Sequence, residues 1–129
     1  NLDSKRDWGF AKDYVKAMWK MLQLKHPEDF IISSGKAYSV KYFIDLALKN
    51  LKFNGRWIGK KNNRKFINNK NKIIVEISPN LVRKKEYKLL VGNSLKAKRI
   101  LKWKPKTNLK ELVKIMIKEE KKQLQTKIF

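Results

Sequence analysis

Two arginines are the side chains of this chain best suited to chemistry with an anion. Arg6 lies just before a helical pattern begins, where a guanidinium and the free N–H groups of a helix start could together hold a phosphate. Arg83 precedes Glu86 by three residues, and such a pair could bind a phosphate while the carboxylate accepts ribose hydroxyls. On spacing alone, a local surface ion pair between Arg83 and Glu86 is the stronger interpretation.

Groups that catalyse reactions are scarce. His26 is the only histidine and lies in a turn before Pro27, which favours a solvated side chain. The acidic residues are scattered among lysines, the five glycines are separated from one another, and no tyrosine is followed four residues later by a lysine. We therefore expect no catalytic residue, no cofactor-binding residue and no metal site in this chain.

The net charge suggests a different class of partner. With 33 basic and 11 acidic residues, the formal charge of +22 would suit nucleic acid or an anionic membrane. Only five of the basic residues are arginine, and the lysines occur with asparagine and isoleucine, which favours solvated lysine-rich surfaces over a dedicated nucleic-acid site. The chain has no cysteine and no apolar run near the ~18 residues of a membrane span. We expect a cytoplasmic location, with no membrane partner and no specific nucleic-acid partner.

Hydrophobic periodicity predicts an α/β arrangement of three to four helices with short strands. The first helix runs from Phe10 to Leu22, the second follows an N-cap at Ser39, the third is capped by Ser94, and the fourth opens with a capping box of Asn108 and Glu111. The spacing predicts one buried face on the first helix, formed by Ala11, Tyr14, Val15, Met18, Trp19 and Leu22.

Strands are predicted where apolar residues alternate or form short runs. These segments are Phe30 to Ile32, Arg56 to Ile58 and Lys72 to Ile77, with a polar connection from Lys60 to Asn71. No linker divides residues 1–129, so we expect one unit whose last residues, 118–129, form a fraying helical tail.

The order of short motifs resembles one family of enzymes. Residues 1–9 read Asn-Leu-Asp-Ser-Lys-Arg-Asp-Trp-Gly, and residues 11–15 read Ala-Lys-Asp-Tyr-Val. Together they resemble the segment that opens the C-terminal half of GDP-mannose 4,6-dehydratases. Further matches follow in the same order at Pro27-Glu28-Asp29-Phe30, Ser34-Gly35, Ser39-Val40, Phe43, Arg83, Glu86, Lys96-Ala97-Lys98 and Trp103-Lys104-Pro105-Lys106. The Arg-Asp-Trp and Trp-x-Pro elements resemble extended short-chain dehydrogenases of nucleotide sugars more widely.

The resemblance implies a fold and an activity. The fold would be the small C-terminal substrate-binding domain of an extended short-chain dehydrogenase, without the N-terminal Rossmann half that binds NADP and carries the catalytic residues. The family converts GDP-mannose to GDP-4-dehydro-6-deoxy-mannose by moving a hydride from the mannosyl C4 to NADP, eliminating water and returning the hydride to C6. The implied partners are GDP-mannose, the Rossmann half and further copies in a homo-oligomer. This portion alone would be inactive.

The resemblance also implies roles for four residues. By motif match, Arg6 and Arg83 would contact the diphosphate, Glu86 would hold the ribose, and Lys5 would lie beside the nucleotide. The chain departs from the family pattern at Phe10, where histidine is usual, at Lys84-Lys85 in place of proline-threonine, at Asn93-Ser94 in place of an aspartate-led pair, and at Lys102 in place of glycine or asparagine.

Two alternatives remain at this point. One is the matching portion of a related nucleotide-sugar epimerase, reductase or dehydratase. The other is a small basic nucleic-acid-binding module, whose binding would weaken steeply with salt. The positions of Trp19, Phe43 and Trp103 on apolar faces favour core packing over base stacking.

Overall fold

The computed structural model describes residues 1–83 and 85–126. These residues form an α/β structure, as predicted, with four α-helices and short strands in two small sheets. The helices are α1 (Ala11–Leu22), α2 (Val40–Asn50), α3 (Leu95–Ile100) and α4 (Leu109–Thr126). The strands are β1 (Lys5–Asp7), β2 (Ala37–Ser39), β3 (Gly55–Ile58), β4 (Lys65–Asn68), β5 (Ile73–Glu76) and β6 (Leu89–Leu90). None of the helices described is long and apolar enough to cross a membrane.

The first sheet has the order β2-β1-β6, so the strand that carries Arg6 lies at its centre. β1 is antiparallel to β2 and parallel to β6, and Arg6 is opposite Tyr38 on one side and Leu90 on the other. Arg6 thus precedes α1, as expected, but it does so in the strand that leads into this helix. The sequence Lys-Arg-Asp has no apolar alternation, and its extended conformation comes from pairing with two distant segments.

The second sheet is an antiparallel meander of β3, β4 and β5. The predicted strands at 56–58 and 72–77 are confirmed as β3 and β5, whereas β4 lies inside the segment predicted to be a polar connection. A register shift between Phe66 and Ile67 lets both consecutive side chains be buried, which hides the two-residue period of β4. The Trp57 indole N–H donates to Asp45 Oδ1 at 2.7 Å and ties this sheet to α2.

The capping signals place the helix starts correctly. Ser39 Oγ accepts the Tyr42 amide at 3.1 Å at the start of α2. Asn108 Oδ1 accepts the Glu111 amide at 3.1 Å, and the Glu111 carboxylate accepts the Asn108 amide at 3.0 Å, which is the predicted capping box.

The cap of α3 differs from the prediction, whereas the end of α4 agrees with it as far as the structure describes this helix. Ser94 holds the N-cap position of α3, but the oxygen that accepts the Leu95 amide belongs to Asn93, at 3.0 Å. α4 continues through residue 126, so the predicted helical tail is present as far as that residue. Residues 127–129 of that tail lie outside the described residues.

Two apolar clusters form the core. The first joins α1 to α3 and the following loop through Ala17, Ala97, Leu101 and Trp103, with Tyr14, Met21, Leu24, Phe30 and Ile32 packed around them. The second joins α2 to α4 through Leu109, Leu112 and Val113, packed against half-buried residues that include Trp8, Phe10, Tyr38, Tyr42 and Phe43.

Two predictions about the first cluster are wrong. The buried residues of α1 are Asp13 and Ala17, whereas five residues of the predicted buried face are exposed: Ala11, Val15, Met18, Trp19 and Leu22. The helix has apolar residues on two sides, so periodicity alone selected the wrong one. Residues 30–32 belong to neither sheet, although Phe30 and Ile32 do pack on the core.

Candidate functional site

Arg6 and Glu86, which are 80 residues apart in sequence, meet beside the central strand of the first sheet. Arg6 Nη2 donates to Glu86 Oε1 at 2.8 Å. Arg6 Nη1 donates to the backbone oxygens of Tyr87 at 2.9 Å and Lys5 at 2.8 Å. These bonds hold the 86–87 segment against β1, and the parallel pairing of β6 with β1 places that segment there.

The pair is charged and within reach of a ligand. The Ser4 hydroxyl is the main cause of a Glu86 carboxyl pKa below its usual range; the positive charges of the N-terminal amine and of Arg6 act in the same direction, and burial opposes them. The side chains of Arg6 and Glu86 remain 25% and 20% exposed. Among the described residues, Arg6 Nε and the second Nη2 hydrogen have no acceptor, so the guanidinium can still bind an anion.

The other two predicted site residues are less tightly held. Lys5 is exposed on β1, and its amide donates to the Lys88 backbone oxygen at 2.8 Å. Arg83 is exposed after a 3-10 turn at Pro79–Leu81 and makes no hydrogen bond or ion pair with a described residue. The local Arg83–Glu86 pair expected from spacing is therefore wrong, because Glu86 pairs with Arg6. Of the Lys84-Lys85 departure, Lys84 lies outside the described residues.

Asp7 organises the loops beside the pair, and sequence reasoning did not single it out. Its carboxylate accepts the amides of Ser34 at 2.8 Å, Gly35 at 2.9 Å and Gly92 at 3.3 Å. Gly35 has a φ of 73°, a conformation that favours glycine. The sequence did contain a clue to this role: the Arg-Asp-Trp motif is followed later by Ser34-Gly35, and a carboxylate binds the successive amides of such a turn well.

The remaining residues of the opening motif support the structure. The Trp8 ring stacks on Phe43 with centroids 4.7 Å apart. Gly9 forms the turn between β1 and α1, and a Cβ there would overlap the ring of Tyr14. Phe10, one of the departures from the motif described above, is half-buried against the second core cluster. Within the opening motif, Arg6 belongs to the candidate site, Asp7 holds two loops, and Trp8 and Phe10 pack on the core.

The described residues contain no group of three or more histidine, aspartate or glutamate side chains that could hold a metal ion. His26 is exposed in the loop after α1. The chemistry that this arrangement supports is recognition: a guanidinium for an anion and an adjacent carboxylate for hydroxyl groups.

Comparison with known sequences identifies the family. The profile described as GDP-mannose 4,6 dehydratase matches residues 1–116. The GDP-mannose 4,6 dehydratase of Dictyostelium discoideum is 40% identical over 121 residues, 93% of this chain and 34% of the relative. The enzymes of the same name from Drosophila melanogaster and Homo sapiens are 44% and 42% identical, over 93% and 91% of this chain. The chain spans about a third of the length of these relatives.

Solved structures share the fold. RMD from Pseudomonas aeruginosa, solved in complex with NADPH, has a TM-score of 0.64 at 16% identity over 88% of this chain and 32% of that chain. The UDP-glucose 4-epimerase of Thermotoga maritima, solved with UDP-glucose, has a TM-score of 0.72 at 22% identity over 96% of this chain and 34% of that chain. These likenesses concern the fold. The sequence matches, which favour the dehydratase interpretation over a nucleic-acid-binding module, show that the chain belongs to the GDP-mannose 4,6-dehydratase family.

Proposed function

We propose that this chain is the C-terminal, GDP-sugar-binding portion of a GDP-mannose 4,6-dehydratase. The observation that carries this proposal is the contact between Arg6 and Glu86, because two residues that match separate family motifs meet at one partly exposed place. In this role the chain takes part in converting GDP-mannose to GDP-4-dehydro-6-deoxy-mannose, and it supplies binding groups.

The roles of the binding groups follow from their charge and exposure. The unused N–H donors of Arg6 bind the diphosphate, and the ionised Glu86 accepts hydrogen bonds from the ribose hydroxyls. Lys5 adds a compact positive charge from the neighbouring position of β1. Arg83, which has no partner in the described part of the chain, supplies a second guanidinium to the diphosphate.

NADP, which accepts and returns the hydride in this family, is assigned to the Rossmann half of the enzyme. The residues described here offer it no glycine-rich phosphate loop. The turn between β1 and α1 has a single glycine, Gly9, and the Tyr14 ring fills the space beside it. This chain therefore binds and orients the nucleotide while another part of the enzyme performs the chemistry. We infer that the chain alone is inactive, and that the complete enzyme is cytoplasmic and homo-oligomeric.

A chimeric enzyme tests the proposal. The matching third of the Dictyostelium discoideum relative is replaced by this chain, and consumption of GDP-mannose with added NADP is measured. We expect turnover by the chimera and none by the isolated chain. Turnover by the isolated chain, or a folded chimera that consumes UDP-glucose or dTDP-glucose as well as GDP-mannose, would contradict the proposal.

A further inference from the structure

A cavity of about 510 Å³ opens between the end of β1, β2, α3 and the loop that leads into α4. Four lysines from three separate parts of the chain line it: Lys36, Lys98, Lys104 and Lys106. No lining residue that the structure describes is acidic, and none is among the residues assigned above to GDP-sugar binding. The volume lies in the range of small-molecule sites.

The four ammonium groups around the cavity have no carboxylate partner in the described part of the chain. Elsewhere, the lysines at 41, 65, 96 and 122 form ion pairs. Three carboxylates do contact lining residues, but they accept backbone amides of those residues, and they belong to Asp7, Asp13 and Glu111. The ammonium groups are therefore available to a ligand. A cavity lined by one sign of charge concentrates ions of the opposite sign.

The indole N–H of Trp8 is a second feature of the same cavity. Its Nε1 is buried and has no acceptor among the described residues, although stacking on Phe43 fixes the ring. Buried donors without an acceptor are rare in folded proteins. A ligand rich in oxygen atoms, bound against Trp8, can supply the missing acceptor.

Two sequence motifs that have no role in the proposed function meet at this cavity. The motif Lys96-Ala97-Lys98 supplies one lysine, and Trp103-Lys104-Pro105-Lys106 supplies two more. Ala97 and Trp103 are core residues, so the backbone beside these lysines is fixed. The Trp103 indole donates to the Asp13 backbone oxygen at 2.9 Å, and the Lys106 amide donates to the Asp13 carboxylate at 3.0 Å. The loop that presents the lysines is thus held in place before any ligand binds, which lowers the cost of binding.

We propose that this cavity is a second anion-binding site, which takes a small molecule carrying a chain of two or more phosphate groups. A lysine ammonium group is a compact charge with three donors, so four of them can bind many phosphate oxygens at once. Each further phosphate in the chain brings more charged oxygens to these groups. The inference does not depend on the GDP-sugar site.

Titration calorimetry of the chimera with tripolyphosphate tests the site. Saturating NADP and the substitutions Arg6→Gln and Arg83→Gln keep the probe out of the cofactor and GDP-sugar sites. We expect one tripolyphosphate per chain, and inorganic phosphate should bind at least about 10-fold more weakly, as for losing a charge-assisted contact. Binding that disappears with the two arginine substitutions would overturn the proposal, because the probe would then occupy only the GDP-sugar site.

Two pairs of lysine substitutions separate a site from the effect of net charge. Lys98→Gln with Lys104→Gln should weaken tripolyphosphate binding at least about 100-fold, as for two charged contacts. Lys70→Gln with Lys72→Gln removes the same charge at exposed positions between β4 and β5, and salt screening should limit its effect to less than about 3-fold. Equal weakening by the two pairs would overturn the proposal and assign the binding to the charge of +22.

NMR of the tryptophan indole N–H groups locates the probe without any lysine substitution. Tripolyphosphate should shift the Trp8 signal, because this donor gains an acceptor. The signals of Trp57 and Trp103 are the internal controls and should not move, since their N–H groups already donate to Asp45 and Asp13. An unchanged Trp8 signal at saturating probe would contradict the proposal.

The outcomes for this site and for the proposed function are separate. If a folded chimera binds tripolyphosphate as described but does not consume GDP-mannose, the second anion site stands and the proposed function is wrong. If the chimera consumes GDP-mannose but does not bind tripolyphosphate once both arginines are replaced, the second site is wrong and the proposed function stands.

Discussion

Arg6 donates a hydrogen bond to Glu86 at 2.8 Å and, through its other terminal nitrogen, binds the backbone oxygen of Tyr87. One guanidinium therefore holds the segment that presents Glu86 and keeps donors for a ligand. The relationship links the opening motif of the chain to a motif about two-thirds of the way along it.

Replacing Arg6 should weaken substrate binding strongly. In the chimera, Arg6→Gln removes a charged donor to the diphosphate and releases Glu86, so we expect KM for GDP-mannose to rise roughly 10- to 100-fold, as for losing a charge-assisted hydrogen bond. Steady-state kinetics measure the change. Arg56→Gln, at an exposed position of β3, is the matched control and should leave KM unchanged. An unchanged KM in the Arg6 variant would remove this residue from the site.

Replacing Arg83 should have a smaller structural effect than replacing Arg6. Arg83 is exposed and has no partner in the described part of the chain, so Arg83→Gln should leave the melting midpoint unchanged. In the chimera, it should raise KM for GDP-mannose roughly 10-fold, as for one charged contact. A variant with normal stability and a normal KM would show that only the Arg6 side of the proposed diphosphate contact exists.

Asp13→Asn should destabilise the chain in a pH-dependent manner. Asp13 is 4% exposed; burial alone would raise the pKa of its carboxyl, but the amides of Thr107 and Lys106, at 2.8 and 3.0 Å, lower it below 3.8. We expect a loss of about 2 kcal/mol at pH 7, because both amides donate to the same oxygen, Oδ2, and a neutral amide oxygen accepts them less strongly than an ionised carboxylate.

The pH dependence of this loss follows from the lowered pKa. Ionised Asp13 stabilises the fold above the unfolded-state pKa near 3.8, and this stabilisation disappears as the pH falls through the lower folded-state pKa. Urea unfolding at pH 7 and below pH 4 measures the difference between the two proteins, which should shrink in acid. Asp29→Asn, at an exposed position, is the control. A difference that does not change with pH would contradict this account.

Lys102→Gly should stabilise the chain. Lys102 directly follows the C-cap of α3 and has a φ of 48°, a conformation that costs a side-chain-bearing residue about 1 kcal/mol or more. Part of this gain is offset by the extra freedom of glycine in the unfolded chain, so we expect about 0.5 kcal/mol net and a rise of about 2 °C in Tm. Lys104→Gly is the control and should lower Tm. A lower Tm for the Lys102 variant would exclude strain at this position.

The sequence allowed some elements to be predicted and concealed others for physical reasons. Ser39 and the Asn108–Glu111 box marked helix starts because capping is local in sequence. β1 and β6, of three and two residues, are strands only because they pair across the chain. The sequence did not reveal which side of α1 is buried, because the small Ala17 packs inward while the larger and more apolar Trp19 is exposed.

The residues of the candidate site could also be predicted only in part from the sequence. The family motifs pointed to Arg6 and Glu86 as site residues, whereas their spacing predicted an ion pair between Glu86 and Arg83. The spacing was misleading because local patterns contain no information on contacts between residues 80 positions apart. Asp7 was missed because its role depends on three amides from two distant loops.

Equilibrium binding of nucleotide sugars to the chimera tests the central claim most directly. Titration calorimetry with GDP-mannose and with UDP-glucose compares the two ligands on the same folded protein. The account predicts that GDP-mannose binds and that UDP-glucose binds at least about 100-fold more weakly, as for a site that leaves polar groups unpaired with the wrong ligand. Equal affinity for the two ligands, or no binding of GDP-mannose by a folded chimera that retains NADP, would contradict it.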